Sequence, residues 1–416
     1  MASGVRFTLV LLFLAPAAYA QGWEADPALV KRLMERRPER MVDEAKVPAY
    51  VLPDALRFED GRAVTTVEQW RKRRPEILEM FRSQMFGRSP GRPQELTFEP
   101  VEENPDALAG AATLRRIAIV SRQEDRTHRF ELVLLIPNGK PKPVPAFLLI
   151  NNRDPEKNTD HTRRAKSPFW PVEEMIARGY AMAVIQNRDL APDVKTDDTT
   201  WRQGVVRLFE GERADRRPAD AWMALAAWAW GASRAMDYLE TDTRVDSKRV
   251  AVVGHSRGGK TALWAAAEDE RFAMAISNNS GSCGAAISRR RFGERIKLTH
   301  TNPHWFCDNF RKYHDREDDL PFDQHMLIGL IAPRGVYVTS ATEDLWADPK
   351  GEFLGLAHAS SVYALWGQPP IPPDTMPAAD TPLRVGFRAY HIRTGAHDLT
   401  AYDWRCFAGF ADALWR

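Results

Sequence analysis

The sequence predicts a three-layer α/β sandwich, with a mostly parallel central sheet and helices on both faces. Residues 145–150 and 180–185 are almost continuously apolar, as strands buried on both faces are. Between these two segments, the helical pattern of Val172–Arg178 ends at Gly179. Strands that alternate with helices in this way indicate a parallel sheet whose two faces are both covered.

The remaining elements continue this pattern. Residues 114–120 and 130–136 are rich in β-branched residues and flank a charged segment, which predicts a hairpin. Short apolar runs predict further strands at residues 249–253, 273–277, 335–340 and 387–392. Amphipathic spacing predicts helices at residues 220–239 and 261–267. Two long connections, residues 282–326 and 368–382, are expected to form binding loops or lids.

The N-terminus has the features of an export signal. Arg6 precedes a short apolar stretch, residues 7–15, and Ala18-Tyr19-Ala20 fits a cleavage site with small residues. We therefore assign residues 1–20 to a signal peptide and expect a secreted or periplasmic protein. Residues 21–100, with a predicted helix at 66–85, are interpreted as an N-terminal extension packed on a catalytic domain that comprises residues 101–416.

The composition is that of an ordinary globular protein, with 44% hydrophobic and 27% charged residues. The net charge of +2 argues against nucleic acid or an acidic membrane as a partner. We expect a monomer without metal or organic cofactor, since no Cys/His spacing suggests zinc. Cys283, Cys307 and Cys406 either form one disulfide, with Cys283 and Cys307 the nearest pair in sequence, or are small buried residues.

A candidate nucleophile lies in Gly254-His255-Ser256-Arg257-Gly258, which matches the pattern GxSxG. An apolar strand leads into this pentapeptide and a helical pattern follows it. Such a strand–turn–helix unit holds a serine in a strained conformation with its oxygen exposed, and it is typical of α/β-hydrolases. The following helix directs its partial positive charge at an oxyanion formed there. Ser256 is therefore the predicted nucleophile.

Ser256 needs a base and an acid, and in this fold the acid precedes the histidine along the chain. His397 is preferred as the base because it lies in a polar glycine loop directly after the last predicted strand. His391 lies inside that strand and is interpreted as a core residue. Asp344, in the loop after the penultimate strand, is preferred as the acid that orients the base. Glu343 and Asp348 in the same loop remain alternatives.

The extended motif at residues 253–260 adds Arg257 and Lys260 to the pentapeptide and resembles the GxSRxGK signature of glucuronoyl esterases, carbohydrate esterase family 15. Residues 228–231, 330–334 and 346–349 add to this resemblance, which is to the bacterial branch. The resemblance implies hydrolysis of the ester between a 4-O-methylglucuronate side chain of xylan and a lignin alcohol.

The resemblance also implies roles for individual residues. Arg257 would help to hold the oxyanion, and Lys260 would contact sugar hydroxyls. Glu294 and Trp346 lie where sugar-contacting residues are expected. Two cations within one helical turn of Ser256 also favour negative charge that develops on an ester oxygen.

The long connection at residues 282–326 carries further candidates. His304 and Trp305, in its aromatic part, are expected to line the substrate. The basic segment 289–295 suggests a contact with acidic xylan and has no other evident purpose.

Two residues depart from the family pattern. Many members carry their acid as a glutamate just after the strand that follows the nucleophile helix, where this chain has Asn279. Because an amide supplies no charge, we expect Asp344 to be the acid and the replacement of Asn279 by alanine to have little effect. Fungal relatives carry a disulfide-bonded cysteine immediately before the serine, where this chain has His255.

Two other functions compete with this interpretation. An esterase that removes acetyl or feruloyl groups from xylan would share the triad and differ only in its sugar-contacting residues. A catalytically silent polysaccharide-binding protein would retain the fold, but the complete Ser, His and acid set argues against it.

Overall fold

The computed structural model describes residues 22–141, 143–194, 199–211, 217–297 and 301–415. The predicted signal peptide, residues 1–20, lies outside these ranges. No helix in the described ranges is both long enough and apolar enough to cross a membrane. Cys283, Cys307 and Cys406 are all buried and all free, so the cysteines are small buried residues and the Cys283–Cys307 pairing is absent.

The described strands form one sheet. Their bounds are β1 (Glu95–Ala107), β2 (Ala112–Gln123), β3 (Arg126–Pro137), β4 (Val144–Asn151), β5 (Ala181–Gln186), β6 (Val245–His255), β7 (Met274–Asn278), β8 (Gly335–Ala341), β9 (Leu383–Val385) and β10 (Arg388–Arg393). Their order across the sheet is β1-β2-β3-β5-β4-β6-β7-β8-β10-β9. The strands from β5 to β10 in this order pair in parallel, and the pairs at both edges are antiparallel. The carboxyl ends of the parallel strands therefore meet at one edge.

Helices cover both faces of the sheet, as predicted. Their bounds are α1 (Pro27–Arg36), α2 (Val67–Phe81), α3 (Pro155–Asn158), α4 (Val172–Arg178), α5 (Asn187–Leu190), α6 (Val205–Glu210), α7 (Ala224–Leu239), α8 (Arg257–Glu268), α9 (Gln324–Gly329), α10 (Pro349–His358), α11 (Ser360–Tyr363) and α12 (Ala401–Trp415). The alternation of side chains along β6 shows the two layers. Val250 and Val252 join the core with α2, α7 and α8, whereas Ala251 and Val253 join the core with α4 and α12.

Several boundaries differ from the sequence expectations for local reasons. The sheet begins at Glu95, so β1 starts within the segment predicted as the N-terminal extension. Helix α7 begins at Ala224 rather than at residue 220, because Asp220 instead receives hydrogen bonds from the backbone (2.9 Å) and the side chain (2.7 Å) of Arg88. Helix α8 begins at Arg257 rather than at residue 261, since it runs directly out of the turn after β6.

Candidate active site

The predicted nucleophile lies between a strand and a helix, at the carboxyl edge of the sheet. β6 ends at His255 and α8 begins at Arg257, and Ser256 between them has a φ of 57°. The turn depends on Gly254, because a Cβ atom there would lie 1.9 Å from the carbonyl oxygen of Gly258. The strained backbone presents the side chain of Ser256 above the sheet edge.

The predicted base and acid are in direct contact. The Nδ1 atom of His397, on the loop after β10, lies 2.5 Å from Oδ2 of Asp344, on the loop after β8. A carboxylate only accepts hydrogen bonds, so Nδ1 carries the proton and Nε2 retains the lone pair that a general base needs. Asp344 is 7% exposed, which strengthens its interaction with the imidazole.

The structure also separates the alternatives. Glu343 is exposed. Asp348 is buried, pairs with Arg290 at 2.8 Å and accepts the first-turn N–H of Gly351 in α10 at 2.9 Å. Of the three carboxylates in this loop, Asp344 alone contacts His397 within the described residues.

His391 is a core residue, in agreement with its interpretation from the sequence. Its Nδ1 atom lies 3.0 Å from the hydroxyl of Tyr337, and its Nε2 atom lies 2.8 Å from Oδ1 of Asp403. Both ring nitrogens are thus engaged in the layer beneath the sheet, and His391 takes no part in the site.

Asn279, at the end of β7, supports the acid. Its amide Nδ2 donates a 3.0 Å hydrogen bond to the same Oδ2 atom of Asp344 that contacts His397. The next turn is held by Glu352, which accepts the N–H groups of Ser280 and Gly281 at 2.7 and 2.9 Å. Burial raises the pKa of Glu352 to about 8 against the opposing effect of these N–H donors. Asn279 therefore has a partner that the sequence did not reveal, and its removal is no longer expected to be without effect.

Arg257 is held by an aspartate that sequence reasoning missed. Asp193, in the loop that follows β5 and α5, forms an ion pair with Arg257, whose Nη2 also donates to the carbonyl of Asn152 at 3.2 Å. Burial acts to raise the pKa of Asp193, but His304 and Arg257 outweigh it and lower this pKa to about 2. The carboxylate thus stays ionised and fixes the guanidinium near the first turn of α8.

His304 and Trp305 also contact this aspartate. Nε2 of His304 and Nε1 of Trp305 lie 2.8 and 2.9 Å from the same oxygen of Asp193. The two side chains are only 1% and 6% exposed. The structure therefore places them behind Arg257 as supports of Asp193 rather than on an open substrate surface.

Lys260 and Glu294 form a buried pair beside the nucleophile helix. The ammonium of Lys260 donates to the carbonyls of Ser280 and Ser282, both at 2.6 Å, and to Oε2 of Glu294 at 2.7 Å. These contacts use all three of its donors, and Lys260 is 2% exposed. The expected contact of Lys260 with sugar hydroxyls is thus not available in this arrangement, whereas Glu294 keeps acceptor capacity and is positioned by Lys260.

Trp346 lies close to Glu294, its side chain is half-buried, and Arg40 lies over one face of its ring. The N–H of Glu294 donates to the carbonyl of Trp346 at 2.7 Å. The guanidinium carbon of Arg40, from the N-terminal segment, lies 4.1 Å from the centroid of the indole ring. The N-terminal segment thus reaches the edge of the site, held there by the N–H of Gly293, which donates to the carbonyl of Met41 at 2.7 Å.

The basic segment 289–295 is occupied with structural ion pairs. Its arginines pair with acids of the surrounding loops: Arg289 with Asp323, Arg290 with Asp348 and Glu44, Arg291 with Glu317 and Asp318, and Arg295 with Asp315 and Glu317. These charges balance one another, so the suggested contact of this segment with acidic xylan is not supported.

Comparison with known proteins agrees with this geometry. The family model described as "Glucuronyl esterase, fungi" matches residues 119–367. A carbohydrate esterase from an unknown prokaryotic organism is 40% identical over 398 residues, which cover 89% of this chain and 91% of the relative. The chain belongs to the glucuronoyl esterase family. Members of this family are carboxylic ester hydrolases, and so is this chain.

Solved structures place the chain among bacterial glucuronoyl esterases. The structure described as a glucuronoyl esterase from Solibacter usitatus has a TM-score of 0.83 and 42% identity, and the match covers 89% of this chain and all of that one. A glucuronoyl esterase from Teredinibacter turnerae has a TM-score of 0.78 and 29% identity, with 94% and 99% coverage. The α/β-hydrolase fold predicted from the sequence is thereby confirmed.

The contacts of three site residues were not predicted from the sequence, and the positions of these residues share one signal. Asn152, Asp193 and Asn279 each lie in a segment that follows a parallel strand, where polar side chains meet at the carboxyl edge of the sheet. That position was readable from the sequence for Asn152 and Asn279, which follow strands β4 and β7 directly. For Asp193 it was not, because the short helix α5 intervenes.

Proposed function

We propose that this glucuronoyl esterase hydrolyses esters of 4-O-methylglucuronate side chains of glucuronoxylan, with lignin alcohols as the leaving groups. The observation that carries the proposal is the Asp344–His397 pair beside the strained Ser256. The substrate class is supported by relatives such as the 4-O-methyl-glucuronoyl methylesterase from Schizophyllum commune, 28% identical over 76% of this chain and 74% of its own length.

The reaction proceeds by acyl transfer in two steps. His397 Nε2 takes the proton of Ser256 as its oxygen attacks the uronate carbonyl, and Asp344 stabilises the imidazolium that forms. The first-turn N–H groups of α8 and the guanidinium of Arg257 stabilise the tetrahedral oxyanion. His397 then protonates the departing alcohol. Water, deprotonated by His397, attacks the acyl-enzyme carbonyl, and His397 returns the proton to the oxygen of Ser256 as the free glucuronate is released.

Glu294 and Trp346 form the sugar side of the site in this proposal. Glu294, held by Lys260, accepts hydrogen bonds from sugar hydroxyls, since a carboxylate only accepts. The protein acts as a monomer. It is exported and its leader, residues 1–20, is removed; the order of a charged residue, an apolar stretch and small residues in the leader supports export.

The proposal is tested with three substrates and two proteins. Benzyl glucuronate, acetylated xylan and para-nitrophenyl acetate are each incubated with wild type and with Ser256→Ala. Turnover of the glucuronate ester that Ser256→Ala abolishes, without comparable release of acetate from xylan, is the expected result. Ser256-dependent release from acetylated xylan alone would retain the triad and replace the substrate. A folded protein that is silent on all three would instead be a polysaccharide-binding protein.

A further inference from the structure

A cluster of side chains around His255 lies against the ring of His397. The His255 ring, which immediately precedes the nucleophile, has its centroid 4.5 Å from that of His397 at an interplanar angle of 47°. His255 is 1% exposed, and the ring of Phe169 meets it edge-on at 5.7 Å. The imidazole of His255 therefore acts as a wedge against one side of the catalytic imidazole.

Both nitrogens of His255 are engaged. Its Nε2 atom lies 3.1 Å from Nη2 of Arg153, which can only donate, so Nε2 accepts. Its Nδ1 atom then carries the proton and donates to Oδ1 of Asn278 at 2.6 Å. Burial, together with the charges of His397 and Arg153, holds the pKa of His255 well below its usual range. His255 is thus a neutral wedge that cannot compete for the proton of Ser256.

Arg153 connects this wedge to the loop of the base. Its Nη1 donates to Oδ1 of Asp398, the residue that follows His397, at 2.6 Å. The guanidinium also lies over the ring of Phe169 at 4.6 Å, which fixes its plane. One arginine therefore holds both the residue before the nucleophile and the residue after the base.

We propose that Arg153 and His255 are positioning residues for the catalytic histidine, forming a clamp that holds the His397 loop against the end of β6. The clamp rests on the proposed function only in taking His397 as the base. The described charged groups around His397 are Asp344, which contacts its Nδ1 atom, Arg153 and Asp398, which pair with each other, and Arg257, which follows Ser256. Arg393 also lies there, binds the carbonyls of Ala396 and Asp398 and pairs with Asp403.

The Arg153–Asp398 pair allows a test that a purely structural role would not pass. The clamp places one positive and one negative group beside His397, so removing either leaves the other unbalanced. Arg153→Met leaves the carboxylate, favours protonated His397 and moves the acid limb of kcat/KM to higher pH. Asp398→Asn leaves the guanidinium and moves that limb to lower pH. Each shift is expected to be about half a pH unit.

The profiles are measured with para-nitrophenyl acetate, whose hydrolysis requires Ser256 and His397 but no sugar contact, so a wrong substrate assignment leaves the test intact. Arg405→Met is the matched control, since it breaks a 3.3 Å pair between the exposed Arg405 on α12 and Glu174 on α4 and should leave the limb unchanged. Opposite shifts support the clamp. Shifts in the same direction, or none in either variant, overturn it.

His255 is tested separately by the size of its replacement. His255→Phe keeps an aromatic wedge, whereas His255→Ala removes it and lets the His397 ring move. We expect His255→Ala to lower kcat about a hundredfold with KM within about twofold, and His255→Phe to recover part of this loss, because it restores the ring but not the contact with Arg153. Thermal melts confirm folding, and equal kcat values for His255→Ala and wild type would overturn the wedge. If His255→Ala does not fold, the opposite pH shifts decide the proposal.

Discussion

Replacing Asp344 by asparagine gives the sharpest test of the proposed catalytic acid. The substitution keeps the shape of the side chain, and its amide oxygen can still accept from Nδ1 of His397 and from Nδ2 of Asn279, which share Oδ2 in the structure at 2.5 and 3.0 Å. The tautomer of His397 is therefore retained, and the main loss is the negative charge that faces the imidazolium in the transition state.

The size of that loss follows from the separation of the charges. For charges about 4 Å apart at an effective dielectric constant of about 20, the attraction is about 4 kcal/mol. Each 1.36 kcal/mol of barrier changes the rate about tenfold, so kcat should fall about a thousandfold with little change in KM. A hydrogen bond to a charged group, such as that from Asn279 to Asp344, contributes about 1.5–3 kcal/mol. Asn279→Ala should therefore lower kcat about tenfold to a hundredfold.

The assay compares kcat for benzyl glucuronate among wild type, Asp344→Asn, Asn279→Ala and the double variant. Because Asn279 acts through Asp344, the double variant should be little worse than Asp344→Asn. Glu343→Gln is the matched control for an exposed carboxylate in the same loop and should stay near wild type. If Asp344→Asn keeps kcat within about tenfold of wild type, or if Glu343→Gln shows the larger loss, the assignment of the acid is wrong.

The remaining predictions concern the supports of the site. Asp193→Asn should destabilise the fold by about 2 kcal/mol at pH 7, since the pKa of Asp193 falls from 3.8 to about 2 in the folded state; in urea unfolding, this difference should narrow as pH falls from about 4 towards 2. His255 stays neutral when folded but takes up a proton when unfolded, so wild type should lose stability below pH 6.5 more steeply than His255→Phe; parallel melting curves would contradict this. Arg40→Ala removes the guanidinium from the ring of Trp346 and should change KM for xylan-linked glucuronate esters severalfold while kcat stays constant. Replacement of the exposed Arg37 by alanine is the control. A fall in kcat with unchanged KM would show that Arg40 does not act through substrate binding at Trp346.

Local patterns in the sequence were sufficient to predict the elements and to select Ser256 and His397 as the predicted nucleophile and base. The strand before Ser256, the glycines around it and the helix after it are adjacent in the chain, so short-range sterics decide the turn. His397 was found in the same way, as the histidine in a polar loop directly after an apolar strand. Helix α4 matched its predicted bounds, because Gly179 ends it with a left-handed residue.

The partners of these residues could not be read from the sequence in the same way. Glu343, Asp344 and Asp348 are acidic residues of one loop, and the sequence does not show which of them contacts His397. The placement of β8 beside β10 decides which carboxylate reaches His397. Lys260 was expected to contact sugar hydroxyls because the family resemblance implies this role. The tertiary structure buries it instead, since the turn at Ser280–Ser282 supplies two carbonyls and Glu294 a charge.

The sequence alone thus determined the fold class and the choice of Ser256 and His397 as predicted nucleophile and base, because each follows from periodicity and from residues adjacent in the chain. The tertiary structure decided the anchoring of Arg257 by Asp193, the support of Asp344 by Asn279 and the wedge of His255 against His397. These contacts join residues from about 60 to more than 140 positions apart. Their formation depends on the order of the strands, which brings the carboxyl ends of separate βα units to one edge of the sheet.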